Sequence, residues 1–296
     1  MRIFITGGSG WIGSAVIPEL LAAGHTVTGL ARSDESAARL VAAGVTPLAG
    51  SLGDLGTLSA GAAASDGVIH LGFNHDFSDY LGAGRTERAA VEAIGDALAG
   101  TDRPFLFASG LAGLAEGRVA TELDANPFTS PESPRGAGEN LALSYADRGV
   151  RSVALRFAPT VHGERDHGFV AQLVTVARER GASAYVDDGT NRWPAVHRLD
   201  VARMVALALD AAPAGSRLHG AAEEGVAARE IAEAIGRQLG LPVVSVPAAD
   251  APEHFGWIGR FFGADIPASS ARTQHLLGWT PLHQGLIADL DAGYYN

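Results

Sequence analysis

The chain has no cysteine, so disulfide bonds, thiolate metal sites and cysteine nucleophiles are all excluded. It also lacks an uninterrupted apolar run of about 20 residues, the length that spans a membrane. No basic and apolar leader is expected before the first strand. Basic residues are few, 22 against 33 acidic ones, and the formal net charge of −11 argues against a nucleic-acid surface. We therefore expect a soluble cytoplasmic protein that binds neither membrane nor nucleic acid.

What the sequence does contain is a regular alternation of strand and helix patterns, in a length of 296 residues that can bury a large core. The predicted strands are 2–6, 26–31, 46–49, 67–71, 104–109 and 151–157. The predicted helices between them are 11–23, 33–43, 55–64, 85–99 and 135–148. This alternation requires parallel strands joined by right-handed crossovers, so we predict an α/β fold with a doubly wound parallel sheet.

After residue 157 prolines interrupt the pattern, although helices are still predicted at 169–180 and 228–239. We predict a dinucleotide-binding Rossmann domain over 1–160, to which a later segment near 190–205 returns. Residues 161–296 are predicted to form mainly a small, mostly helical lid that covers the carboxyl edge of the sheet and binds the substrate.

The strongest local signal is a glycine-rich loop between the first strand and the first helix. Gly7 permits the tight turn, Gly10 lets the backbone approach a pyrophosphate, and Gly13 lets the helix pack closely on the strand. The free N–H groups and the dipole at the helix N-terminus then favour phosphate groups. The loop therefore predicts a dinucleotide site.

Five segments, in order along the chain, match one known pattern. Residues 6–13 (TGGSGWIG) match a TGxxGxxG loop, and residues 66–73 (DGVIHLGF) match a strand that ends HLAA beside the nicotinamide ribose. Residues 155–163 (LRFAPTVHG), 196–202 (VHRLDVA) and 277–281 (LGWTP) match LRxxxVYG, VHVDDVA and LGWxP. The chain thus resembles the extended short-chain dehydrogenase/reductase family, also called NAD-dependent epimerase/dehydratase-like proteins. The resemblance spans nearly the whole chain and implies a Rossmann fold with a nicotinamide cofactor.

The nucleotide preference is predicted from the end of the second strand, where a carboxylate selects NAD in this family. Here Arg32 and Ser33 offer a planar cation and a hydroxyl to a 2′-phosphate, so NADP(H) is predicted. The alternative is that Arg32 is only a solvated loop residue. On the adenine side Ser51 replaces the aspartate of the family's GDL segment, and Asp54 is predicted to cap the next helix. The resemblance implies further cofactor contacts from Gly7, Gly10, Trp11, Ile12, Gly13, Leu52, Leu71, Gly72 and Phe73.

The catalytic pattern of the family, a Ser/Thr with a Tyr and a Lys in SPYxxxK, is altered here. Residues 133–139 (SPRGAGE) place Arg135 at the tyrosine and Glu139 at the lysine. Gly110 stands at the Ser/Thr position, with Ser109 one residue earlier. Tyr145, further along the predicted helix, has no lysine four residues later. The chain is therefore identified as an atypical member that lacks the tetrad.

Two interpretations of Arg135 are open. On one helix, Arg135 and Glu139 at i and i+4 would form an ion pair with only a structural role. Alternatively, Arg135 stabilises a developing oxyanion as a fixed positive charge. Because arginine stays protonated, a separate proton donor would then be needed.

Candidate donors are His75, which follows the fourth strand, and His162, which replaces the tyrosine of VYG; Ser109 is the remaining catalytic candidate. Each histidine has a purely structural alternative as a hydrogen-bonded core residue. Histidine spacings typical of metal sites are missing, so no metal is predicted. An apolar substrate pocket, or else ordinary core, is predicted from Trp193, Phe169, Trp257, Phe261 and Phe262.

The leading functional hypothesis is an NADP(H)-dependent oxidoreductase that reduces a carbonyl or similar C=X group of a small to medium organic substrate. A second hypothesis is a redox-silent NADP(H)-binding sensor, because the tetrad is altered. A third is a sugar-nucleotide epimerase or dehydratase, which the missing tyrosine disfavours. The resemblance also implies a possible homodimer through the helices predicted at 85–99 and 135–148.

Overall fold

The computed structural model describes residues 1–74 and 79–295. Its central sheet contains strands that pair only in parallel, in the order β10-β6-β5-β4-β1-β2-β3. The order reverses at β1, which lies between β2 and β4, and ligands of such sheets bind in the crevice at this switch point. The strands are β1 (Arg2–Thr6), β2 (Thr26–Ala31), β3 (Thr46–Ala49), β4 (Gly67–His70), β5 (Pro104–Gly110), β6 (Arg151–Phe157) and β10 (Arg217–Gly220).

Helices cover both faces of this sheet because its strands are apolar on both sides. Alternation along β1 places Ile3 and Ile5 in one buried cluster and Phe4 in another. The first cluster includes apolar residues of α1 and α7, and the second includes residues of α3, α4 and α5. These helices are α1 (Gly13–Ala22), α2 (Asp34–Ala42), α3 (Leu55–Ala63), α4 (Tyr80–Leu98), α5 (Gly138–Ser144) and α7 (Arg198–Ala211).

The C-terminal part has its own core and two small sheets, of order β11-β9-β7 and β12-β8. Its strands are β7 (Thr160–His162), β8 (Ser183–Val186), β9 (Arg192–His197), β11 (Glu223–Ala227) and β12 (Val243–Val246). Its helices are α6 (Phe169–Arg180), α8 (Ala228–Leu239), α9 (Ala251–Phe255), α10 (Gly259–Phe262), α11 (Ala271–Leu277) and α12 (Leu286–Asp291). Within the described ranges, no helix is long and apolar enough to cross a membrane.

The predicted α/β fold is confirmed, and most predicted boundaries differ from the observed ones by one or two residues. Three differences matter for the site. The fourth helix begins at Tyr80, five residues before the predicted start. The helix predicted at 135–148 is divided into a 3₁₀ turn at Pro134–Ala137, then α5, then a second 3₁₀ turn at Tyr145–Arg148. The chain also returns to the central sheet beyond 190–205, because β10 pairs with β6.

Candidate active site

The glycine loop after β1 has the geometry that a dinucleotide site needs. Gly7 has a φ of +69°, and a Cβ there would lie 2.7 Å from the Gly72 nitrogen, so only glycine fits between the ends of β1 and β4. A Cβ on Gly13 would lie 2.2 Å from the Gly7 carbonyl oxygen, so that glycine serves helix packing. Gly10 is exposed, and its Cβ would meet only that same oxygen, at 3.2 Å. Its other side is open, and contact of a pyrophosphate with Gly10 stays a prediction.

The end of β4 is fixed to this loop by side-chain hydrogen bonds. The Gly72 N–H donates to the Thr6 hydroxyl at 3.0 Å, and this hydroxyl lies 2.9 Å from His70 Nδ1. Burial, together with the nearby Arg135 charge, lowers the pKa of His70 to about 3, so its imidazole stays neutral. Leu71, Gly72 and Phe73 continue from this anchored point into the crevice, where the resemblance places cofactor contacts.

Trp11 connects the glycine loop with the C-terminal part. Its indole N–H donates to the Val161 carbonyl at 2.7 Å, and the Arg198 guanidinium lies 4.0 Å from the centre of its ring. The edge of the His167 ring packs against the same indole, with the ring centres 5.4 Å apart. The cation over the indole face adds an attractive interaction. Trp11 therefore packs the C-terminal part against the loop, and Ile12 beside it is the N-cap residue of α1.

Arg32 follows β2 and is exposed, and no hydrogen bond or ion pair engages its guanidinium among the residues that the structure describes. Ser33 beside it has a structural role, because its hydroxyl accepts from the Ser36 N–H at 3.2 Å and caps α2. The guanidinium is thus available to a ligand at the end of β2.

The adenine-side segment corrects one prediction. Asp54 precedes α3 but does not cap it, because its carboxylate turns back to accept from the Ser51 N–H at 2.6 Å and the Ser51 hydroxyl at 2.8 Å. These hydrogen bonds lower the pKa of Asp54. The carboxylate thus lies beside Ser51, and Leu52 follows in the same turn.

Arg135 is held in place on several sides. Its Nε donates to Glu87 Oε2 at 3.1 Å, and its Nη2 donates to Glu87 Oε1 and, at 3.0 Å, to the Ala108 carbonyl. The guanidinium lies over the Phe73 ring, 4.5 Å from its centre. Glu87 is fully buried on α4, and desolvation raises the pKa of its carboxyl despite the opposing charge of Arg135. The Arg135 side chain itself is 27% exposed.

The predicted ion pair between Arg135 and Glu139 is wrong. Side chains at i and i+4 stack only along a continuous α-helix, whereas Arg135 and Ala137 have left-handed backbone, with φ of +57° and +55°. Glu139 Oε1 instead accepts a hydrogen bond from Arg156 Nη2 at 2.6 Å, and both side chains are buried. Each arginine therefore has a different glutamate as its partner.

Glu139 is the centre of a buried polar network below the crevice. Its carboxylate accepts from Asn126 Nδ2 at 3.1 Å, and the nearby Ser109 also helps to lower its pKa. Burial opposes ionisation of Glu139, but the hydrogen bonds and charge of Arg156 are stronger, and the pKa of Glu139 is lowered. Beyond Arg156, the Nε2 atom of His219 lies 3.2 Å from Arg156 Nη1.

The candidate histidines differ in their environment. His162 is fully buried, and its Nδ1 lies 2.5 Å from Asp289 Oδ2 on α12, while its Nε2 has no partner within the described chain. The ring of His197 packs edge-on against it, with centres 5.6 Å apart. His75 lies outside the described residues. The catalytic roles of Ser109, His75, His162 and Arg135 stay predictions.

The predicted aromatic pocket divides into buried and exposed members. Trp193 and Phe262 are buried and pack against each other in the core of the C-terminal part. Phe169 begins α6 only two residues after His167, and its ring lies 5.5 Å from that of Trp257. Trp257 and Phe261 are 36% and 46% exposed and 6.5 Å apart. Across the described ranges, no group of three His, Cys, Asp or Glu side chains is placed to hold a metal.

Comparison with known families identifies the group to which the chain is related. The model of the NAD dependent epimerase/dehydratase family matches residues 3–219. The chain belongs to this family. The extended family resemblance found in the sequence is thereby confirmed.

Relatives of the chain cover from about three quarters of its length to all of it. The uncharacterized protein C2A9.02 of Schizosaccharomyces pombe is 49% identical over 296 residues, which are 100% of both chains. The 4-hydroxy-2-methyl-3-oxo-4-farnesyl-3,4-dihydroquinoline-1-oxide ketoreductase of Stigmatella aurantiaca is 29% identical over 73% of this chain and 66% of its own. The structure of DesIV, a dTDP-glucose 4,6-dehydratase of Streptomyces venezuelae, superposes with a TM-score of 0.78 at 20% identity, covering 99% of this chain and 96% of DesIV. This last likeness shows the fold.

Within the epimerase/dehydratase family, this chain cannot assemble the usual tyrosine–lysine pair. All 22 of its Lys and Arg residues are arginine, so no lysine from any segment can take that role. Tyr145 does not replace the tyrosine either, because its hydroxyl donates to Asp96 Oδ1 on α4 at 2.9 Å. Burial and Asp96 raise the pKa of Tyr145 to about 12. The missing lysine is visible in the sequence, but the partners Glu87 and Arg156 are not.

Proposed function

We propose that the protein is an NADP(H)-dependent oxidoreductase that reduces the carbonyl group of an apolar organic substrate. The proposal starts from the loop, where exposed Gly10 and the N-terminus of α1 fit a pyrophosphate. The solved structure of DesIV contains NAD, and the relative from Stigmatella aurantiaca is a ketoreductase. When bound, the cofactor would supply a hydride to the carbonyl carbon.

Arg32 supports the choice of NADP(H). Its guanidinium is exposed directly after β2, the strand next to β1, and the described residues offer it no carboxylate. A guanidinium donates two parallel hydrogen bonds to a phosphate, whereas it gains much less from a neutral ribose hydroxyl. Asp34 and Glu35 follow in the first turn of α2, where they complement the helix dipole.

The reductase proposal rests mainly on the observation that the Arg135 guanidinium is held in one orientation by its neighbours. A leftover surface arginine would be solvated, but this one is paired with a fully buried glutamate and lies over Phe73 beside the end of β4. Residues in left-handed backbone, such as Arg135 and Ala137, cost about 1–3 kcal/mol each, and they cluster at active sites. A cation oriented in advance stabilises charge that develops on a carbonyl oxygen.

The reaction leaves an alkoxide on the former carbonyl oxygen, which then takes a proton. Arg135 would stabilise this oxygen and does not give up its own proton. The exposed Trp257 and Phe261 and the half-buried Phe169 form a chain of aromatic contacts that suits an apolar substrate, and Phe169 is two residues from His167, which packs against Trp11. The proton donor is then a second group, with His75 and His162 as the candidates from the sequence.

The proposal is tested with a panel of aliphatic and aromatic ketones and aldehydes. Oxidation of NADPH is followed by absorbance, beside a titration of NADPH binding to the same protein. The proposal predicts turnover with at least one apolar carbonyl and little turnover with sugar nucleotides. Tight NADPH binding without turnover of any panel member would instead support the redox-silent sensor.

A further inference from the structure

Away from the crevice beside the glycine loop, a cavity of about 630 Å³ lies beside β10 at the edge of the seven-stranded sheet. Three strands, β6, β5 and β4, separate β10 from β1 and its glycine loop. One wall is β10 with the turn before it, the second is α11, and the third is the segment at Glu122 and Leu123. None of these lining residues belongs to the candidate active site.

Two arginine side chains line the cavity in a chain whose net charge is −11. Arg217 projects from β10, and Arg272 and His275 line the cavity from α11, three residues apart on one helix face. Neither arginine has a hydrogen bond or ion pair elsewhere in the parts of the chain that the structure describes. The Arg217 Nε atom is buried without a partner, which is costly for an ionised group. An anion in the cavity would be bound by the Nη groups of Arg217, which are not buried, and by the guanidinium of Arg272.

Glu122 is the acidic residue of the lining, and its carboxylate is already engaged. Its Oε1 accepts from the Thr273 N–H at 2.7 Å and from the Thr273 hydroxyl at 2.8 Å. Glu122 is buried, and among the described residues it forms no ion pair with Arg217 or Arg272. The two arginines therefore outweigh its single charge, and the cavity favours anions.

The lining also includes three leucine side chains. Leu218 is buried, whereas Leu123 is 68% exposed and Leu276 is 44% exposed. Exposed leucines beside unpaired arginines give the cavity both a polar and an apolar surface. A free inorganic anion would use only the polar surface.

We propose that this cavity binds a small organic carboxylate with an apolar tail. The carboxylate accepts charge-assisted hydrogen bonds from Arg217 and Arg272, and the tail covers Leu123 and Leu276. The site is separate from the nucleotide crevice, so this proposal stands whether or not the protein is a reductase.

The test is calorimetric titration of the full-length protein with octanoate at low ionic strength, with 1-octanol and inorganic phosphate as comparison ligands. We expect octanoate to bind at one site. Octanol lacks the carboxylate and phosphate lacks the apolar tail, so each should bind at least about tenfold more weakly. Arg217→Gln and Arg272→Gln should each weaken octanoate by about tenfold or more. Arg272 is exposed, so its variant keeps the test valid if Arg217→Gln reduces folding.

Arg39→Gln is the matched control, because Arg39 lies on α2 and pairs with Glu35 outside the cavity. It should bind octanoate like the unmodified protein. Octanoate affinity that is unchanged in both cavity variants would overturn the proposal. Loss of octanoate binding in the folded double variant Arg135→Ala/Glu87→Gln would overturn it too, because it would place the octanoate in the crevice. Phosphate that binds as tightly as octanoate would contradict the apolar part of the site.

Discussion

Two arginines of the candidate site differ in what surrounds their guanidinium groups. Arg32 is exposed after β2 and is open to a ligand, whereas Arg135 is enclosed by Glu87, Ala108 and Phe73. The sequence singled out both residues, because each stands where the family has a different one. It did not predict Glu87, which is 48 residues from Arg135 and meets it only in the folded chain.

The Arg32→Ala substitution tests the nucleotide preference at the scale of one side chain. Loss of a charge-assisted contact worth about 1.5–3 kcal/mol should weaken NADPH binding by tens-fold and leave NADH binding nearly unchanged. Fluorescence titration with both nucleotides measures this, and Arg39→Ala on the adjoining helix is the control. Equal weakening of both nucleotides, or a native preference for NADH, would refute the assignment.

Glu139 provides a test of stability. Glu139→Gln leaves the buried Arg156 guanidinium without a counter-ion, which should lower the free energy of unfolding by about 3–5 kcal/mol. The same change at Glu35, whose partner Arg39 is exposed, should cost only about 0.3–0.5 kcal/mol. Urea unfolding of the three proteins decides this, and equal stabilities would contradict the network.

The pH dependence of stability follows from the direction in which the pKa of Glu139 is shifted. Because its folded pKa is lowered, the stability it contributes is complete above the unfolded carboxyl value of about 4.3 and is lost as the pH falls through the lower folded value. Glu139→Gln should remove this acid-side loss. The same network explains why restoring the family pair with Glu139→Lys is not a simple exchange, since the new cation would face Arg156.

Among the elements of the fold, the strands and the long helices could be predicted, because the spacing of apolar residues within each segment indicates them. β6, α6 and α8 have the predicted limits. The helix predicted at 135–148 is divided, because the left-handed residues Arg135 and Ala137 interrupt it before α5. Local pattern could not show this, since the contact of Arg135 with α4 fixes that turn from outside.

The loop between β1 and α1 predicts different effects for a valine at two of its glycines. Gly10→Val should abolish dinucleotide binding while the protein stays folded, because its side chain would occupy only the open side of the loop. Gly13→Val should instead reduce thermal stability, since its Cβ would overlap the Gly7 carbonyl oxygen. Circular dichroism with nucleotide titration separates the two effects. Unchanged nucleotide affinity in Gly10→Val would remove the basis for a dinucleotide site.

At the scale of the whole molecule, the C-terminal part is tied to the sheet by contacts that are distant in sequence. Asp200 of α7 accepts from the backbone N–H groups of Leu282 and His283, and Asp289 holds His162. The sequence predicted a small, mostly helical lid, but not these contacts or the two small sheets. The homodimer through α4 and α5 stays a prediction.

In the proposed reductase, Arg135 takes the electrostatic role of the missing tyrosine–lysine pair. The most direct measurement is the turnover of the double variant Arg135→Ala/Glu87→Gln, in which no ionised carboxylate is left buried without its partner. With the best carbonyl substrate, kcat should fall by about a hundred-fold, because a stabiliser of the developing oxyanion is lost. NADPH affinity should stay within about twofold, since the interaction is made in the transition state. An unchanged kcat in this folded variant would show that Arg135 does not stabilise the developing oxyanion.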